Sequence, residues 1–148
     1  MMLAMNREIK TPLLAVDAVI LFQSGIVLIR RLNPPYKGCF ALPGGFVEIG
    51  ETVEEAACRE AREETGLIID LLGLIGIYSD PGRDPRGHVV SAAFLATGKG
   101  QLRSASDARS AEVYPLSDLP ELAFDHDKII RDALLLAERP AMHQINVE

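Results

Sequence analysis

Three glutamates, Glu60, Glu63 and Glu64, lie within five positions of one another in a segment with a helical pattern. Successive residues rotate by about 100° around a helix, so these carboxylates share one face within about one turn. Like charges at this spacing repel, and a solvated charged surface is the ordinary explanation of such a helix. A hard divalent cation would remove the repulsion, because Mg²⁺ binds carboxylate and phosphate oxygens. The stripe therefore indicates either a solvated face or a metal site for a phosphorylated ligand.

Two arginines, Arg59 and Arg62, flank the acidic stripe. Arg59 is placed to pair with Glu55 or Glu63 along the helix, or with Glu51 just before it. A guanidinium group can bind a carboxylate through two parallel hydrogen bonds, which fixes the carboxylate's orientation. We therefore expect Arg59 to hold carboxylates of this segment in place.

The ends of the acidic helix are marked by local signals. Thr52 and Glu55 form a capping-box pattern, and Gly66 suits the left-handed residue that follows a helix. We therefore predict a helix over Val53–Thr65, whose small alanines indicate close packing on a neighbouring element. Upstream, we expect Pro43-Gly44-Gly45 to form a tight turn.

The rest of the chain alternates apolar segments with turn-rich ones. β-branched and apolar runs predict strands at 13–22, 26–31, 67–79, 88–97 and 111–116, with Gly73 and Gly76 as bulges in the third of them. A second helix begins after Asp125, its expected cap, and stops at Pro140. Its expected buried residues are Ile129, Ile130, Ala133, Leu134 and Ala137.

Length and composition favour one soluble domain over residues 1–148, with a loose tail at 139–148. There is no apolar run of about 20 residues, so we expect no membrane span. The opening segment turns polar too early for a secretory signal, so we expect a cytoplasmic protein. Cys39 and Cys58 form no convincing disulfide framework. A net charge of −6 without a basic stripe argues against a nucleic-acid partner.

The order of these residues resembles the Nudix box position by position. Gly45 is followed after five residues by Glu51, after seven more by Arg59-Glu60, after two by Glu63-Glu64, and after one by Gly66 with an aliphatic residue. The small Ala61 departs from the larger aliphatic residue usual in the family. The resemblance implies an α/β/α sandwich with a mixed central β-sheet. It also implies hydrolysis of a nucleoside diphosphate linked to some other group.

The resemblance also implies site residues. It assigns the carboxylates of Glu60, Glu63 and Glu64 and the backbone carbonyl of Gly44 to a divalent metal, Mg²⁺ or alternatively Mn²⁺. Arg59 would orient the carboxylates. The general base would be one of these glutamates or a carboxylate from a distant loop. For that distant carboxylate the candidates are Asp107 and Glu112, each of which could equally be an ordinary surface acid.

The loop "YSDPGRDPRGHVVS" contains two arginines, Arg83 and Arg86, between prolines and glycines. Arginine forks suit phosphate recognition, although these two could instead pair with Asp80 and Asp84. The loop is similar to one in small bacterial and archaeal ADP-ribose pyrophosphatases, as is the segment before the box. Pro81, fifteen residues after Gly66, also fits that group. The resemblance therefore favours cleavage of ADP-ribose to AMP and ribose 5-phosphate.

Other assignments stay open at this stage. Arg30 or Arg31 could reach phosphates, and an adenine could stack on Phe40 or Tyr36, although core packing is the plainer role of Phe40. Alternative functions are pyrophosphohydrolysis of a nucleoside triphosphate, such as an oxidised one, and nucleotide sensing without catalysis. Relatives often pair, so the resemblance also favours a homodimer.

Overall fold

A ten-residue apolar strand, β1 (Leu13–Phe22), lies at the centre of the structure, a computed structural model that describes residues 8–103 and 110–139. It pairs with a parallel strand on one side and with antiparallel strands on the other, so the sheet, which has seven strands within the described residues, is mixed. The remaining strands are β2 (Gly25–Arg30), β3 (Phe40–Ala41), β4 (Gly44–Phe46), β5 (Ile68–Tyr78), β6 (Val89–Lys99) and β7 (Ala111–Tyr114). The order along the sheet is β3-β2-β1-β6-β5; β4 also pairs with β1, and β7 with β2.

The part of the chain that the structure describes contains two helices, α1 (Val53–Thr65) and α2 (His126–Ala137), which cover opposite faces of this sheet. Successive side chains of a strand point to opposite faces. Ile20 of β1 is buried in one cluster with Ala61 of α1. The preceding Val19 is buried in another cluster with Ile129 of α2. The α/β/α sandwich expected from the resemblance is therefore confirmed. No helix in the described ranges is both long enough and apolar enough to span a bilayer.

The limits of α1 are those that the sequence predicts. The Thr52 hydroxyl accepts the Glu55 N–H at 3.0 Å, and the Glu55 carboxylate accepts the Thr52 N–H at 2.9 Å. Gly66 ends the helix at φ +79°, a conformation that glycine adopts without steric cost. The three alanines of the helix are fully buried against the sheet, so its backbone lies close to β1 and β4.

The predicted turn at Pro43-Gly44-Gly45 is only partly confirmed: the chain bends at Pro43, between β3 and β4, but both glycines lie in β4 and pair with β1. Gly44 is opposite Asp17, and Gly45 is opposite Val16. A Cβ added to Gly44 would collide with the backbone carbonyl of Val16. Glycine is needed here for close approach of two backbones and not for a turn. The predicted bulges of β5 are confirmed, since its register shifts next to Gly73 and again next to Gly76.

Helix α2 differs from its prediction at both ends. Asp125 precedes the helix as predicted, but its carboxylate makes no capping hydrogen bond and instead binds Arg83. Ala137 is exposed, so its predicted burial is wrong, while Leu136 lies against the β5 backbone near Gly73. The predicted stop at Pro140 and all of the predicted tail after Arg139 lie outside the described residues.

A buried polar cluster joins the start of α2 to β1. The Leu42 N–H donates to Nδ1 of His126 at 3.0 Å, which leaves the ring proton on Nε2. That nitrogen is 3.4 Å from the Asp17 carboxylate, which also accepts the Ser91 hydroxyl at 2.6 Å. Burial lowers the pKa of His126 below its ordinary value of 6.5, although Asp17 and Asp125 oppose the shift. Neutral His126 is therefore part of the folded state.

This cluster predicts a pH dependence of stability. Below pH 6.5 the unfolded chain takes up a proton at His126 that the folded chain resists, so the free energy of unfolding falls as the pH drops. We expect His126→Gln, whose amide oxygen can accept the Leu42 N–H, to be less stable than wild type at pH 7. Its free energy of unfolding should depend less steeply on pH between 7 and 5, by up to ~1.4 kcal/mol per pH unit. Urea denaturation at several pH values measures both quantities.

The matched control is His88→Gln, the same substitution at an exposed histidine outside this cluster. Equal slopes in wild type and His126→Gln would show that His126 does not cause the pH dependence.

Candidate active site

The structure contains a cleft of about 450 Å³. One side of it is formed by α1 and β4. The other side is formed by the loop that carries Arg83 and Arg86, which we call the arginine loop, and by the start of α2. Its volume suits a ligand of nucleotide size. The α1 side contributes Gly44, Gly45, Glu60, Glu63 and Glu64, and the other side contributes Arg31, Asp84, Arg86, Phe124 and His126. Asp17 and Arg83 also line it. The fold therefore brings the acidic stripe and the arginine loop to one cavity.

Arg59 organises the carboxylates of the acidic stripe. Its Nε and Nη2 bind both oxygens of Glu51 at 3.0 and 2.7 Å. Its Nη1 lies 2.9 Å from Glu60 and 3.3 Å from Glu63, and Nη2 also donates to the Phe46 carbonyl at 3.1 Å. Of the predicted partners, Glu51 and Glu63 are therefore engaged, whereas the carboxylate of Glu55 caps the helix.

These contacts affect the protonation of the groups involved. The hydrogen bonds from Arg59 hold the pKa of the Glu51 carboxyl below its usual range, and Glu51 in turn raises the pKa of the guanidinium. Both groups are therefore charged at neutral pH. Arg59 thus offsets the repulsion among Glu51, Glu60 and Glu63.

The remaining glutamate of the stripe, Glu64, is held by the backbone of β4. Its Oε1 accepts the Gly44 N–H at 2.8 Å, and the residue is only 6% exposed. The Glu60 carboxylate lies against Gly45, where an added Cβ would approach to 2.5 Å. The carboxylates of Glu60 and Glu64 thus lie directly against the glycine backbone of β4. The predicted metal contact of the Gly44 carbonyl stays a prediction.

The chemistry of the donor set fits a hard divalent cation. Within residues 8–103 and 110–139, no group of three or more His, Cys, Asp or Glu residues is arranged to hold a metal ion as the side chains stand. Mg²⁺, however, usually keeps several waters and binds one or two carboxylates together with substrate phosphates, without a closed protein cage. Carboxylate oxygens facing a cleft are appropriate to that kind of binding, and Glu60, Glu63 and Glu64 stay the predicted ligands.

The two arginines of the loop have different environments. The Arg83 side chain is 5% exposed and binds both oxygens of Asp125, at 2.9 and 2.7 Å. Burial alone would raise the pKa of Asp125, but the pair with Arg83 lowers it overall. Arg86 is 48% exposed and pairs with Asp84 at 2.8 Å, which lowers the pKa of that carboxyl. Pairing with Asp84 was the predicted alternative for this loop, whereas the partner of Arg83 is distant in sequence.

The other predicted site residues differ in whether they line the cleft. Arg30 is exposed at the end of β2 and lines the cleft. Phe40 packs edge-to-face on Tyr114, with ring centroids 5.1 Å apart, and is not among the residues that line the cleft. Glu112 accepts the Tyr114 hydroxyl at 2.9 Å. Asp107 lies outside the described residues.

Asp17, Phe124 and His126 are among the residues that line the cleft without having been predicted to contribute to a site. Burial raises the pKa of the Asp17 carboxyl, while His126, the Ser91 hydroxyl and Arg83 oppose the shift. An acid inside an apolar strand and an aromatic residue just before a helix were the available signals in the sequence. Neither signal says which cavity the residue faces.

Comparison with known proteins finds a matching family model and a similar relative of known description. A family model described as the NUDIX domain matches residues 11–133. An ADP-ribose pyrophosphatase of Methanocaldococcus jannaschii is 58% identical over 122 residues, which cover 82% of this chain and 72% of that protein.

Solved structures agree with this assignment. The NUDIX domain of Shewanella oneidensis NrtR, complexed with ADP ribose, matches with a TM-score of 0.77 and 28% identity over 90% of this chain and 96% of that one. A bifunctional NMN adenylyltransferase/ADP ribose pyrophosphatase of Francisella tularensis, complexed with AMP and a manganese ion, matches with a TM-score of 0.72 and 27% identity. That match covers 93% of this chain and 44% of the other. Fold, motif spacing and family model agree, and the chain belongs to the Nudix family of hydrolases.

Proposed function

We propose that this protein is a metal-dependent pyrophosphatase that hydrolyses ADP-ribose to AMP and ribose 5-phosphate. The observation that carries the proposal is a cleft in which the ordered carboxylates of α1 face the arginine-bearing loop. A pyrophosphate linkage needs such a pairing of metal-binding acids and cationic groups. The 58% identity to an archaeal ADP-ribose pyrophosphatase supports the choice of substrate.

The residues of α1 and β4 prepare the reacting end of the cleft. Glu60, Glu63 and Glu64 would hold the cation, which when bound activates water and offsets charge on the phosphate oxygens. Arg59 fixes the carboxylates of Glu60 and Glu63 from one side, and the Gly44 N–H fixes Glu64 from the other. A glutamate held in this way can accept a proton from water without first rearranging.

Cationic side chains on the other side of the cleft would bind the substrate. Arg86 and Arg30 are exposed and line the cleft, so we assign them to the phosphates or the terminal ribose. Arg83 lines the same cleft but is committed to Asp125, so we assign it to holding the loop beside α2. The position of the loop, and with it the reach of Arg86, then depends on this partly buried ion pair.

Product analysis tests the proposal. The protein is incubated with ADP-ribose, other nucleoside diphosphate derivatives, and ordinary and oxidised nucleoside triphosphates, with Mg²⁺, Mn²⁺ or EDTA. We expect AMP and ribose 5-phosphate from ADP-ribose, and no products in EDTA. Release of pyrophosphate from triphosphates without turnover of ADP-ribose would instead support the triphosphate alternative.

A binding function is a second candidate, because the matching Shewanella domain is described in complex with ADP ribose. Tight binding of ADP-ribose that does not need metal, together with the absence of turnover under all of the conditions above, would favour sensing over catalysis.

The carboxylates of α1 yield a direct prediction. Glu63→Gln and Glu64→Gln should each lower kcat by ~10²-fold or more, because a neutral amide binds metal weakly and accepts no proton. The amide oxygen introduced by Glu64→Gln should keep the hydrogen bond from the Gly44 N–H, so the melting temperature should stay close to that of wild type. Glu54→Gln, on the exposed first turn of the same helix, is the matched control and should retain activity. Full activity in both site variants would remove these residues from the mechanism.

The two glycines of β4 predict separable effects. In Gly45→Ala the new methyl group must displace the flexible Glu60 carboxylate, so turnover should fall by ~10-fold or more with little loss of stability. In Gly44→Ala the methyl group meets the backbone of Val16, which should lower the free energy of unfolding by ~1–3 kcal/mol. Gly73→Ala meets only Leu136, at 3.9 Å, and serves as control. Activity assays and urea denaturation separate the outcomes; equal activity in Gly45→Ala and the control would contradict this reasoning.

A further inference from the structure

A closed circuit of charged and polar side chains joins β1, the arginine loop and the start of α2 beside the cleft. We call it the polar circuit and define it as Asp17, Arg83, Asp125 and His126. The His126 Nε2 atom is 3.4 Å from Asp17 Oδ1, and Arg83 Nη2 is 3.9 Å from Asp17 Oδ2. Arg83 also binds both oxygens of Asp125, at 2.9 and 2.7 Å. Asp125 and His126 are consecutive residues, so the contacts close on themselves.

Asp17 fixes the polar circuit to the sheet. Its Oδ2 accepts the Ser91 hydroxyl at 2.6 Å, and Ser91 is fully buried in β6. Its Oδ1 faces β4, because a Cβ added to the opposite residue, Gly44, would lie 2.7 Å from this oxygen. Within residues 8–103 and 110–139, no buried side-chain nitrogen or oxygen lacks a hydrogen-bond partner. A fully satisfied buried network is rigid, so the carboxylate has a fixed position beside the backbone of β4.

Three consecutive residues, Leu42, Pro43 and Gly44, connect the polar circuit to the acidic side of the cleft. The Leu42 N–H donates to Nδ1 of His126 at 3.0 Å. The Pro43 carbonyl accepts a backbone N–H of β1 at 2.9 Å. The Gly44 N–H donates to Oε1 of Glu64 at 2.8 Å. This short segment is therefore held in turn by α2, by β1 and by a carboxylate of α1.

Stability alone does not account for these buried polar groups. Apolar side chains of similar volume often stabilise a fold as well as a buried ion pair does, because charges lose their hydration on burial. Apolar contacts have no preferred direction, whereas a hydrogen bond weakens steeply when its angle changes. The imidazole of His126 therefore sets the orientation of the peptide at Leu42. That orientation carries along the strand to Gly44, whose N–H meets the Glu64 carboxylate.

From these contacts, and resting on the function proposed above, we propose that Asp17 and His126 are positioning residues for the predicted metal ligand Glu64. They fix the backbone that presents the Gly44 N–H, and this N–H orients the Glu64 carboxylate. Groups that orient a metal ligand change metal affinity without touching the ion. The neighbour of His126, Asp125, holds the arginine loop. The start of α2 thus sets the position of both sides of the cleft.

Two measurements without substrate test this inference. In the metal-free protein, ¹H–¹⁵N NMR records the amide proton of Gly44, whose chemical shift reports its hydrogen bond to Glu64. Titration with Mn²⁺, followed by electron paramagnetic resonance of the free ion, gives the dissociation constant of the metal. The variants are His126→Leu, His126→Asn and Ser91→Ala. Leu28→Val is the matched control, because Leu28 is a fully buried core residue of β2 that is not among the residues lining the cleft. Melting temperatures establish that each variant is folded.

We expect His126→Leu to move the Gly44 amide proton upfield and to raise the dissociation constant for Mn²⁺ by about tenfold. His126→Asn should keep both values close to those of wild type, because its amide oxygen is bonded to Cγ, as Nδ1 is, and can accept the Leu42 N–H. Ser91→Ala removes the hydrogen bond to Asp17, so it should change both values in the same direction as His126→Leu. It also keeps the test decisive if His126→Leu does not fold. Wild-type values in both of these variants, or equal changes in the core control, would overturn the positioning role.

The outcomes separate this inference from the proposed function. Mn²⁺ binding that depends on His126 in a protein without ADP-ribose turnover would leave the positioning role standing and refute the catalytic proposal. Turnover of ADP-ribose by wild type, with Mn²⁺ binding indifferent to His126 and Ser91, would do the reverse.

Discussion

The site depends on one guanidinium group and the carboxylates that surround it. Arg59 binds Glu51 through two hydrogen bonds and reaches Glu60 and Glu63 with its remaining nitrogen. Without this cation, three acids on one helical turn would repel one another and the end of the preceding loop. Its hydrogen bond to the Phe46 carbonyl also ties α1 to β4. The same contacts that make the acidic face tolerable therefore fix its position relative to the cleft.

Much of this half of the site could be predicted because its contacts are local. The cap formed by Thr52 and Glu55, the left-handed Gly66 and the pairing of Arg59 with Glu51 all follow from spacings of a few residues. The order of strands and the faces covered by the two helices follow less directly. The helices on opposite faces were expected because the motif resembles that of a known family, whereas the order of the strands was not predicted. Hydrophobic periodicity alone would have given neither.

The contacts that the sequence did not reveal join residues far apart along the chain. Arg83 binds Asp125 across 42 residues, and Leu42 binds His126 across 84, so no local pattern could indicate either pair. The glycines of β4 were misread for a related reason, since Gly44 is required by a neighbouring strand and not by its own turn. Phe124 lies directly before Asp125 and close to His126, so its segment is held by these two distant contacts.

The outer strand of the sheet, β5, has an edge that no other described strand covers. Several of its apolar side chains are exposed, among them Leu72, Leu74 and Ile77. A flat strand of this kind would invite a neighbouring molecule to add a strand and begin aggregation. The two register shifts near Gly73 and Gly76 interrupt the even spacing of backbone donors and acceptors along the strand and increase its local twist. The irregularities in β5 therefore make this edge a poorer template for the addition of a strand than a regular strand of the same length would be.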